Sequence, residues 1–281
     1  MGQLTTVRAR CYDCGGVEGL ADYLFDCWSL YNSLAGRPSV VGHCPVAYFG
    51  DLHAYASSSP RVITVGLNPS RLEFDDRFPM RFPSDLGSAD VTGDQMWLSG
   101  TYASGLNSYF FLPDRQPYST WFDNSFKQVL AGIGASFYPA DKPGAATAIH
   151  TDLYSPIATS PVWSGLYRKD RELACQLTEK GPPMWLRLMN ILQPDIIVAS
   201  VSRGATASLG LPLLPPPLPI QEIEAKRGST QPQTQVFQLL SCKRGILLTG
   251  GAGRKPTHAI ARHQREQVGE IVRTRWNQLT S

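Results

Sequence analysis

The residues best suited to chemistry follow one short apolar segment, in the run Arg61-Val-Ile-Thr-Val-Gly-Leu-Asn-Pro-Ser70. The carboxamide of Asn68 does not titrate near neutral pH and cannot act as a general base, but its carbonyl oxygen can hold and orient a water molecule. The neighbours that supply hydrogen-bond donors and stiffen the turn are Gly66, Leu67, Pro69 and Ser70. The run therefore predicts a site that positions water, and an asparagine that only caps a surface turn is the alternative.

A second group of polar side chains lies at the end of another apolar segment, Ala146 to Leu153, and comprises His150, Asp152 and Tyr154. A third apolar segment, Pro194 to Ser200, runs into Ser202-Arg-Gly204. The carboxyl ends of neighbouring parallel strands lie at the same edge of a sheet. We therefore expect these polar groups to lie close to Asn68.

The elements that position these residues alternate between strands and helices. Val62 to Val65 is rich in β-branched residues and apolar on both faces, which is typical of the central strand of a parallel sheet. The other predicted strands are Ala146 to Leu153, Pro194 to Ser200, and a pair formed by Val236 to Ser241 and Gly245 to Leu248. The predicted helices are Leu20 to Leu34, Asn124 to Gly134, Arg168 to Leu177, Met184 to Leu192 and about Thr257 to Leu279, with a break at Gly181-Pro-Pro183. This pattern predicts an α/β fold, a three-layer α/β/α sandwich around a central, mostly parallel four-stranded sheet.

Two regions and one insertion are predicted. Residues 1–58 form a helical extension that bears cysteines and packs on the core, and residues 59–281 form the main domain. Residues 83–120 lack a clear period but are rich in aromatic side chains, so we interpret them as an ordered cap.

Four early cysteines could hold a metal ion: Cys11, Cys14, Cys27 and Cys44. There is no second Cys-x-x-Cys pair, however, and Cys27 lies inside a helical pattern. We therefore expect reduced structural thiols, with no metal and no other cofactor.

The net charge of +3 over 281 residues is modest, but the charges are unevenly spread. Between Lys243 and Arg275 there are eight Lys or Arg residues against two Glu residues. A basic face of this kind favours contact with phosphates, and a solvated helix surface is the alternative. No apolar run is long enough to cross a bilayer and the N-terminus has no secretion signal, so we expect a soluble, cytoplasmic monomer without a membrane partner.

Five local motifs, in order along residues 61 to 281, resemble the uracil-DNA glycosylase superfamily, and most closely its mismatch-specific uracil/thymine branch. They are Gly66-Leu-Asn-Pro69, Phe78-Pro79, the helix that begins Asn124-Ser-Phe, Thr151-Asp-Leu-Tyr154, and Pro194-Asp-Ile-Ile-Val198 with Arg203-Gly-Ala205. The resemblance implies a monofunctional DNA glycosylase. Such an enzyme flips a base out of double-stranded DNA, hydrolyses its N-glycosidic bond and leaves an abasic site without cutting the strand.

Under this resemblance the site residues take definite roles. Asn68 positions the attacking water, and Gly66, Leu67, Pro69, Ser70 and Tyr154 surround the base. Phe78 stacks on the flipped base or packs in the core. Asp152 accepts from an exocyclic amine or from the hydroxyls of a substituent, or it caps a helix or a turn. His258 donates to the leaving base, or it caps a helix or contacts a phosphate. The groups implied to bind DNA phosphates are Arg203, Gly251, Gly253, Arg254 and Lys255.

Two departures from the family pattern favour a base other than uracil. The second motif of the family, His- or Asn-Pro-Ser, is replaced here by Gly250-Gly-Ala-Gly253, and the usual base-reading amide is replaced by the acid Asp152. The favoured substrate is a modified cytosine, glucosylated 5-hydroxymethylcytosine in phage DNA, on which similar bacterial anti-phage glycosylases act. The alternatives are a uracil or thymine mismatch glycosylase of base-excision repair, a catalytically inactive nucleobase or nucleic-acid sensor, and a hydrolase of free nucleosides.

Overall fold

The fold is α/β, as the alternation of apolar segments predicts. A computed structural model of the chain describes residues 19–75, 77, 81–82, 98–111, 117–138, 143–201, 203–211, 218–219, 236–239, 245–249, 261 and 264–281. Strands and helices alternate through these residues, an arrangement compatible with a three-layer sandwich.

The main sheet contains five parallel strands and two antiparallel strands at one edge. Its strands are β2 (Val62–Gly66), β3 (Ala135–Ser136), β4 (Ala146–Asp152), β6 (Ile196–Ala199), β7 (Leu218–Pro219), β8 (Val236–Leu239) and β9 (Ile246–Thr249), and a separate ribbon pairs β1 (Val40–Val41) with β5 (Ala158–Thr159). Their spatial order in the main sheet is β3-β4-β2-β6-β9-β8-β7. β2 is buried along its whole length between β4 and β6, which explains why its residues are apolar on both faces.

The sheet is larger than the four strands predicted from the sequence. The additional parallel strand β3 is only 2 residues long, too short to show any hydrophobic period. At the opposite edge, β7 contains Pro219, which is tolerated there because an edge strand does not use all its N–H groups in the ladder. The antiparallel pairing of β8 with β9 confirms the pairing predicted for these two segments.

The helices largely follow the predicted periodicity. They are α1 (Leu20–Leu34), α2 (Leu52–Ala56), α3 (Ala103–Asn107), α4 (Ser119–Phe122), α5 (Gln128–Ile133), α6 (Trp163–Lys169), α7 (Arg171–Leu192), α8 (Arg203–Thr206) and α9 (Gln264–Thr280), with short 3-10 or π turns at Arg71–Phe74, Leu98–Tyr102, Asp123–Lys127 and Ala207–Leu209. The prediction of α1 is confirmed at both ends. The helix predicted from Asn124 is confirmed as a π turn continued by α5, and it stops at Gly134, whose φ of +84° suits glycine.

The predicted break at Gly181-Pro-Pro183 is wrong, because α7 runs through it for 22 residues. The two prolines remove main-chain donors from the middle of the helix, so the carbonyls of Thr178 and Glu179, four residues earlier, lose the N–H groups that a helix usually offers them; Glu179 is exposed. Apolar side chains on both sides of the prolines, including Leu177 and Trp185, are buried, and their packing stabilises the continuous helix. Gly181 lies directly against the main chain of Tyr154, where any side chain would overlap the Tyr154 carbonyl.

The N-terminal helix and the insertion share one hydrophobic core with the sheet. Trp28 of α1 packs edge-on against Tyr102 of the insertion, with ring centroids 5.4 Å apart. Burial raises the pKa of the Cys27 thiol to about 12, so this thiol stays protonated and unreactive at neutral pH. Cys11, Cys14 and residues 83–97 of the insertion lie outside the described residues.

Among the described residues, no group of three or more His, Cys, Asp or Glu side chains is arranged to hold a metal ion. None of the described helices combines the length and the apolar character needed to cross a bilayer.

The C-terminal helix α9 packs on α5 with their backbones in direct contact. A Cβ atom on Gly269 would overlap the carbonyl oxygen of Val129, and one on Gly132 would overlap that of Glu266. Glycine at both positions is therefore what lets the two helices approach this closely.

Two arginines of the basic C-terminal segment also fasten α9 to the rest of the fold. Arg265 donates from Nη1 to the carbonyl of Asn124 at 2.7 Å, and Arg273 donates from Nη1 to the carbonyl of Ile133 at 3.1 Å. Ile133 is in the last turn of α5, whose carbonyls favour a cation. Arg265 and Arg273, which the sequence analysis placed on a phosphate-binding basic face, therefore help to pack α9 against the rest of the protein.

Replacing Gly269 by alanine is expected to destabilise the protein. The added methyl group must push α9 away from α5, and overpacking of this kind costs about 1–3 kcal/mol of unfolding free energy. Urea denaturation of the two proteins measures the difference. Gly204→Ala is the matched control, because nothing lies within 4 Å of the position its Cβ would take; an equal loss of stability in both variants would contradict the packing argument.

Candidate active site

The candidate site lies where β2 and its two neighbours end at the same edge of the sheet. The chain runs from β2 to β3 and β4 on one side and then crosses to β6 on the other, so the strand order reverses at β2. Open α/β sheets bind ligands in the crevice at such a switch point.

Main-chain hydrogen bonds continue past the strand ends and hold the following loops together. The N–H of Tyr154 donates to the carbonyl of Leu67 at 2.8 Å, and the N–H of Ser200 donates to the carbonyl of Val65 at 2.7 Å. The residues that follow three different strands are therefore carried on one rigid backbone frame, which is what a precise site needs.

A cavity of about 390 Å³ lies at this edge of the sheet. Its lining residues are Phe49, Leu67, Asn68, Pro69, Ser70, Glu73, Tyr118, Trp121, Phe122, His150, Asp152, Tyr154, Val162, Trp163, Ser164, Ser200 and Ala205. Val162 and Ser164 are exposed, so the cavity opens to solvent beside them, whereas Phe49, Phe122 and His150 are buried and form its inner wall. A mostly apolar cavity of this size with a few polar groups is typical of small-molecule sites.

Asn68 is half-buried in the cavity wall, and its carboxamide is held by its nitrogen. Nδ2 donates to Thr159 Oγ1 at 3.0 Å and to the carbonyl of Pro69 at 3.1 Å. No described residue donates to Oδ1. The amide nitrogen therefore anchors the turn to the β5 segment, as the turn-capping alternative predicts. The oxygen is held in place by the same contacts and remains available to accept a hydrogen bond from water.

Asp152 presents a carboxylate to the cavity from the end of β4. Its side chain is 3% exposed, and within the described residues no N–H or O–H group donates to it, so the alternative of a turn cap has no support there. A Cβ atom on Gly66 would collide with Asp152 Oδ1, so glycine at the end of β2 is what allows this carboxylate to lie across the strand. A buried acceptor of this kind suits a ligand that brings its own donor.

His150 lies beneath Asp152 and is held in one orientation. Trp121 donates from Nε1 to His150 Nε2 at 3.5 Å, and His150 Nδ1 lies 2.7 Å from Thr64 Oγ1. These two contacts hold both ring nitrogens, and the direction of the hydrogen bond between Nδ1 and Thr64 Oγ1 depends on the ring tautomer. His150 Nε2 lies 3.7 Å from Asp152 Oδ1, too far for a hydrogen bond, so the ring supports the floor of the cavity without engaging the carboxylate.

Aromatic rings form two sides of the cavity near its mouth. Tyr154 and Trp163 stack with centroids 4.6 Å apart and an angle of 15° between their planes. Trp121 and Tyr118 also line the cavity. Tyr154 is buried, whereas Trp163, Trp121 and Tyr118 are half-buried and offer flat surfaces on which a heterocyclic base can stack.

Glu73 is an ionisable residue of the cavity that the sequence analysis missed. It lies in the 3-10 turn Arg71–Phe74, just after the turn that carries Asn68, and is 2% exposed. The hydroxyl of Tyr109 donates to its Oε2. Burial is the main cause that raises the pKa of this carboxyl to about 7. Perturbed carboxyl groups of this kind are common in active sites.

The structure brings seven of the predicted site residues to this edge of the sheet. Six of them line the cavity, namely Leu67, Asn68, Pro69, Ser70, Asp152 and Tyr154, and Gly66 lies directly against Asp152. Of Arg203 only the main chain is described, at the start of α8. Phe78, Gly251, Gly253, Arg254, Lys255 and His258 lie outside the described residues, so their predicted roles remain predictions.

The cavity residues that sequence reasoning missed come from segments with no strand-end signal. Tyr118 lies near the end of the insertion and Trp121 just after it, and Trp163 begins α6 after a turn of polar and small residues. The aromatic richness of the insertion was the one available signal, but it did not show which rings would face a ligand.

Comparison with protein-family models, with curated proteins and with solved structures finds no match for this chain. The geometry of the cavity is therefore the basis for assigning a function.

Proposed function

We propose that the chain is a monofunctional DNA glycosylase that hydrolyses the N-glycosidic bond of a modified pyrimidine and leaves an abasic site. The observation that carries the proposal is the position of Asn68 at the edge of a cavity, where its amide nitrogen is anchored and its oxygen accepts from no described residue. Hydrolysis of this bond passes through an oxocarbenium-like sugar, and a correctly placed water is the nucleophile it requires. The proposal includes membership of the uracil-DNA glycosylase superfamily, for which the support is Gly66-Leu-Asn-Pro69 at the end of the central strand.

The character of the cavity supports a flipped base as its ligand. Tyr154 and Trp163 offer a stacked aromatic wall, and base faces are attracted to such rings whatever their sequence. The volume of about 390 Å³ exceeds the needs of a bare pyrimidine ring and leaves room for a substituent. This room favours a bulky modified base such as glucosylated 5-hydroxymethylcytosine in phage DNA.

The carboxylate of Asp152 supports an amino-pyrimidine over uracil. A carboxylate only accepts hydrogen bonds, and the exocyclic amine of a cytosine-type base is a donor, whereas uracil presents a carbonyl oxygen at that position. Because no described residue donates to Asp152, a donor from the base would satisfy a buried acceptor. Uracil would leave two acceptors facing each other.

Access to DNA is supported by the helix that borders the mouth of the cavity. α6 begins at Trp163 and carries the exposed cations Arg168 and Lys169 in its last turn. Cations placed beside a base pocket can contact the flanking phosphates, which position the duplex without reading sequence.

The proposal is tested with end-labelled duplexes that each carry one uracil, thymine mismatch, 5-hydroxymethylcytosine or glucosylated 5-hydroxymethylcytosine. We expect alkali-sensitive abasic sites, with unbroken strands before alkali, in the duplexes with an amino-pyrimidine. Tight, salt-sensitive binding with every glycosidic bond intact would contradict the proposal and favour a nucleobase sensor. Hydrolysis of free nucleosides that DNA does not inhibit would favour a nucleoside hydrolase.

A further inference from the structure

Glu73 is the second carboxyl group of the cavity, and it is carried by the same turn as Asn68. The hydroxyl of Ser70 accepts from the N–H of Leu72 at 3.2 Å and starts the short turn that ends at Phe74. This contact fixes the direction in which Glu73 leaves the backbone. The water-positioning amide and this carboxyl therefore keep a constant relation to each other.

The two carboxyl oxygens of Glu73 have different surroundings. Oε2 accepts from the hydroxyl of Tyr109, and that hydroxyl oxygen in turn accepts from the N–H of Tyr118 at 3.2 Å. No described residue donates to Oε1, although the residue is 2% exposed. Since Glu73 also lines the cavity, Oε1 is the oxygen available to a ligand.

The groups around Glu73 set its protonation. Burial raises its pKa from 4.5 to about 7, and the charge of Asp152 acts in the same direction. The hydrogen bond from Tyr109 and the positive charge of Arg81 lower the pKa but do not offset the burial. Among the described residues, Asp152, Tyr109 and Arg81 are the ionisable groups that act on this carboxyl, and a pKa of about 7 leaves a large share of it protonated at neutral pH.

An amino-pyrimidine needs such a proton when it leaves the sugar. Its anion is poorly stabilised because the amino group adds electron density to the ring, and protonation at N3 or O2 as the C1′–N1 bond breaks produces a neutral leaving base instead. A buried carboxylic acid with a pKa close to the working pH is suited to this task.

We infer that Glu73 is the proton donor to the leaving base, an inference that rests on the proposed function. The C1′–N1 bond breaks and its electron pair goes to the base, while the proton on Glu73 Oε1 moves to N3 or O2 of the ring. The water held by Asn68 forms the new C1′–O bond and releases one proton to solvent, and one proton from solvent restores the acid form of Glu73. Asp152 accepts from the exocyclic amine throughout.

The Glu73→Gln variant keeps the shape and an oxygen that accepts from Tyr109, but it has no acidic proton to give. We expect kcat for base release to fall about 100- to 10,000-fold with little change in KM, since loss of a general acid acts on the transition state. Glu179→Gln, at an exposed position of α7, is the matched control and should behave as wild type.

The pH profile separates a proton donor from a residue that only shapes the cavity. Wild-type kcat should fall as the pH rises through about 7, because the acid form of Glu73 is lost. The residual activity of Glu73→Gln should not show this fall, which forms the alkaline limb of the wild-type pH profile. In Tyr109→Phe the limb should move to higher pH, since the hydrogen bond that lowers the pKa of Glu73 is removed.

Folding stability gives a readout that does not depend on activity. A carboxyl whose pKa is raised in the folded state stabilises the protein below the pKa of the unfolded chain and loses this contribution as the pH rises through the folded value. The stability of wild type relative to Glu73→Gln should therefore decline between about pH 4.5 and 7.

The outcomes for Glu73 and for the proposed function are distinguishable. If wild type releases a base but Glu73→Gln retains its rate and its alkaline limb near pH 7, the role of Glu73 is overturned while the glycosylase stands. If wild type releases no base from any duplex, the proposed function fails and the role of Glu73 in it fails with it, even where the stability difference between the two proteins follows the expected course.

Discussion

Replacing Asn68 by alanine is expected to slow base release about 100-fold or more while leaving KM nearly unchanged. Under the proposed function Oδ1 of Asn68 orients the attacking water, which alanine cannot hold, and the correct placement of a nucleophile matters in the transition state more than in substrate binding. The lost hydrogen bond to Thr159 is worth about 1 kcal/mol, so the variant should stay folded. Single-turnover kinetics on a modified duplex, with thermal unfolding measured beside it, tests both statements.

Two further variants make the Asn68 result specific. Asn190→Ala, at an exposed position of α7, is the matched control and should keep the wild-type rate. Thr159→Val removes the hydroxyl that anchors Nδ2 but leaves Asn68 in place, so it should give a smaller fall in kcat by loosening the amide. A wild-type rate in Asn68→Ala would show that this amide does not position the nucleophile.

Replacing Asp152 by asparagine is expected to change which base is released. The new side chain presents an N–H donor beside the base, which repels an exocyclic amine and matches the carbonyl oxygen of uracil. A matched contact to a base edge is worth about 1–3 kcal/mol of discrimination. The ratio of kcat/KM for amino-pyrimidine to that for uracil should therefore fall roughly 10- to 100-fold.

The selectivity experiment uses both substrates in one reaction, so that small differences in folded fraction cancel. Asp22→Asn, exposed in the first turn of α1, is the matched control and should leave the ratio unchanged. An unchanged ratio in Asp152→Asn, with both rates equally reduced, would mean that Asp152 supports the cavity without reading the base.

The site residues that could be predicted from the sequence are those that directly follow a strand. The β-branched run before Gly66 and the apolar run before Asp152 are both local patterns, and parallel pairing of β2 with β4 then places Gly66 opposite Asp152. The collision that any side chain at residue 66 would make with Asp152 could not be foreseen, because it depends on the three-dimensional register of these two strands.

The burial of Glu73 beside the cavity could not be predicted, because its environment comes from distant segments. In the sequence it is one acid in a polar stretch, and such residues are usually exposed. Its burial depends on Tyr109 and Arg81, which the fold brings against it from the insertion and the segment that precedes it. No local pattern reports a contact of that kind.

α7 continues through Pro182 and Pro183, although two adjacent prolines are a strong local signal for the end of a helix. Here the local sequence pattern gave the wrong prediction. Two adjacent prolines normally end a helix, since they remove donors and crowd the preceding turn. Here the buried apolar face on both sides of the prolines outweighs that local cost. Gly181 adds a contact with the main chain of Tyr154 that no pattern of hydrophobic residues would reveal.

The most direct test of the account is mass spectrometry of the small molecules released when the full chain acts on natural and phage-modified DNA. We expect a free amino-pyrimidine, most abundantly from DNA that contains glucosylated 5-hydroxymethylcytosine, and a large loss of this product with Asn68→Ala. Release of no base from any of these DNAs, or the same release by Asn68→Ala as by wild type, would contradict the account.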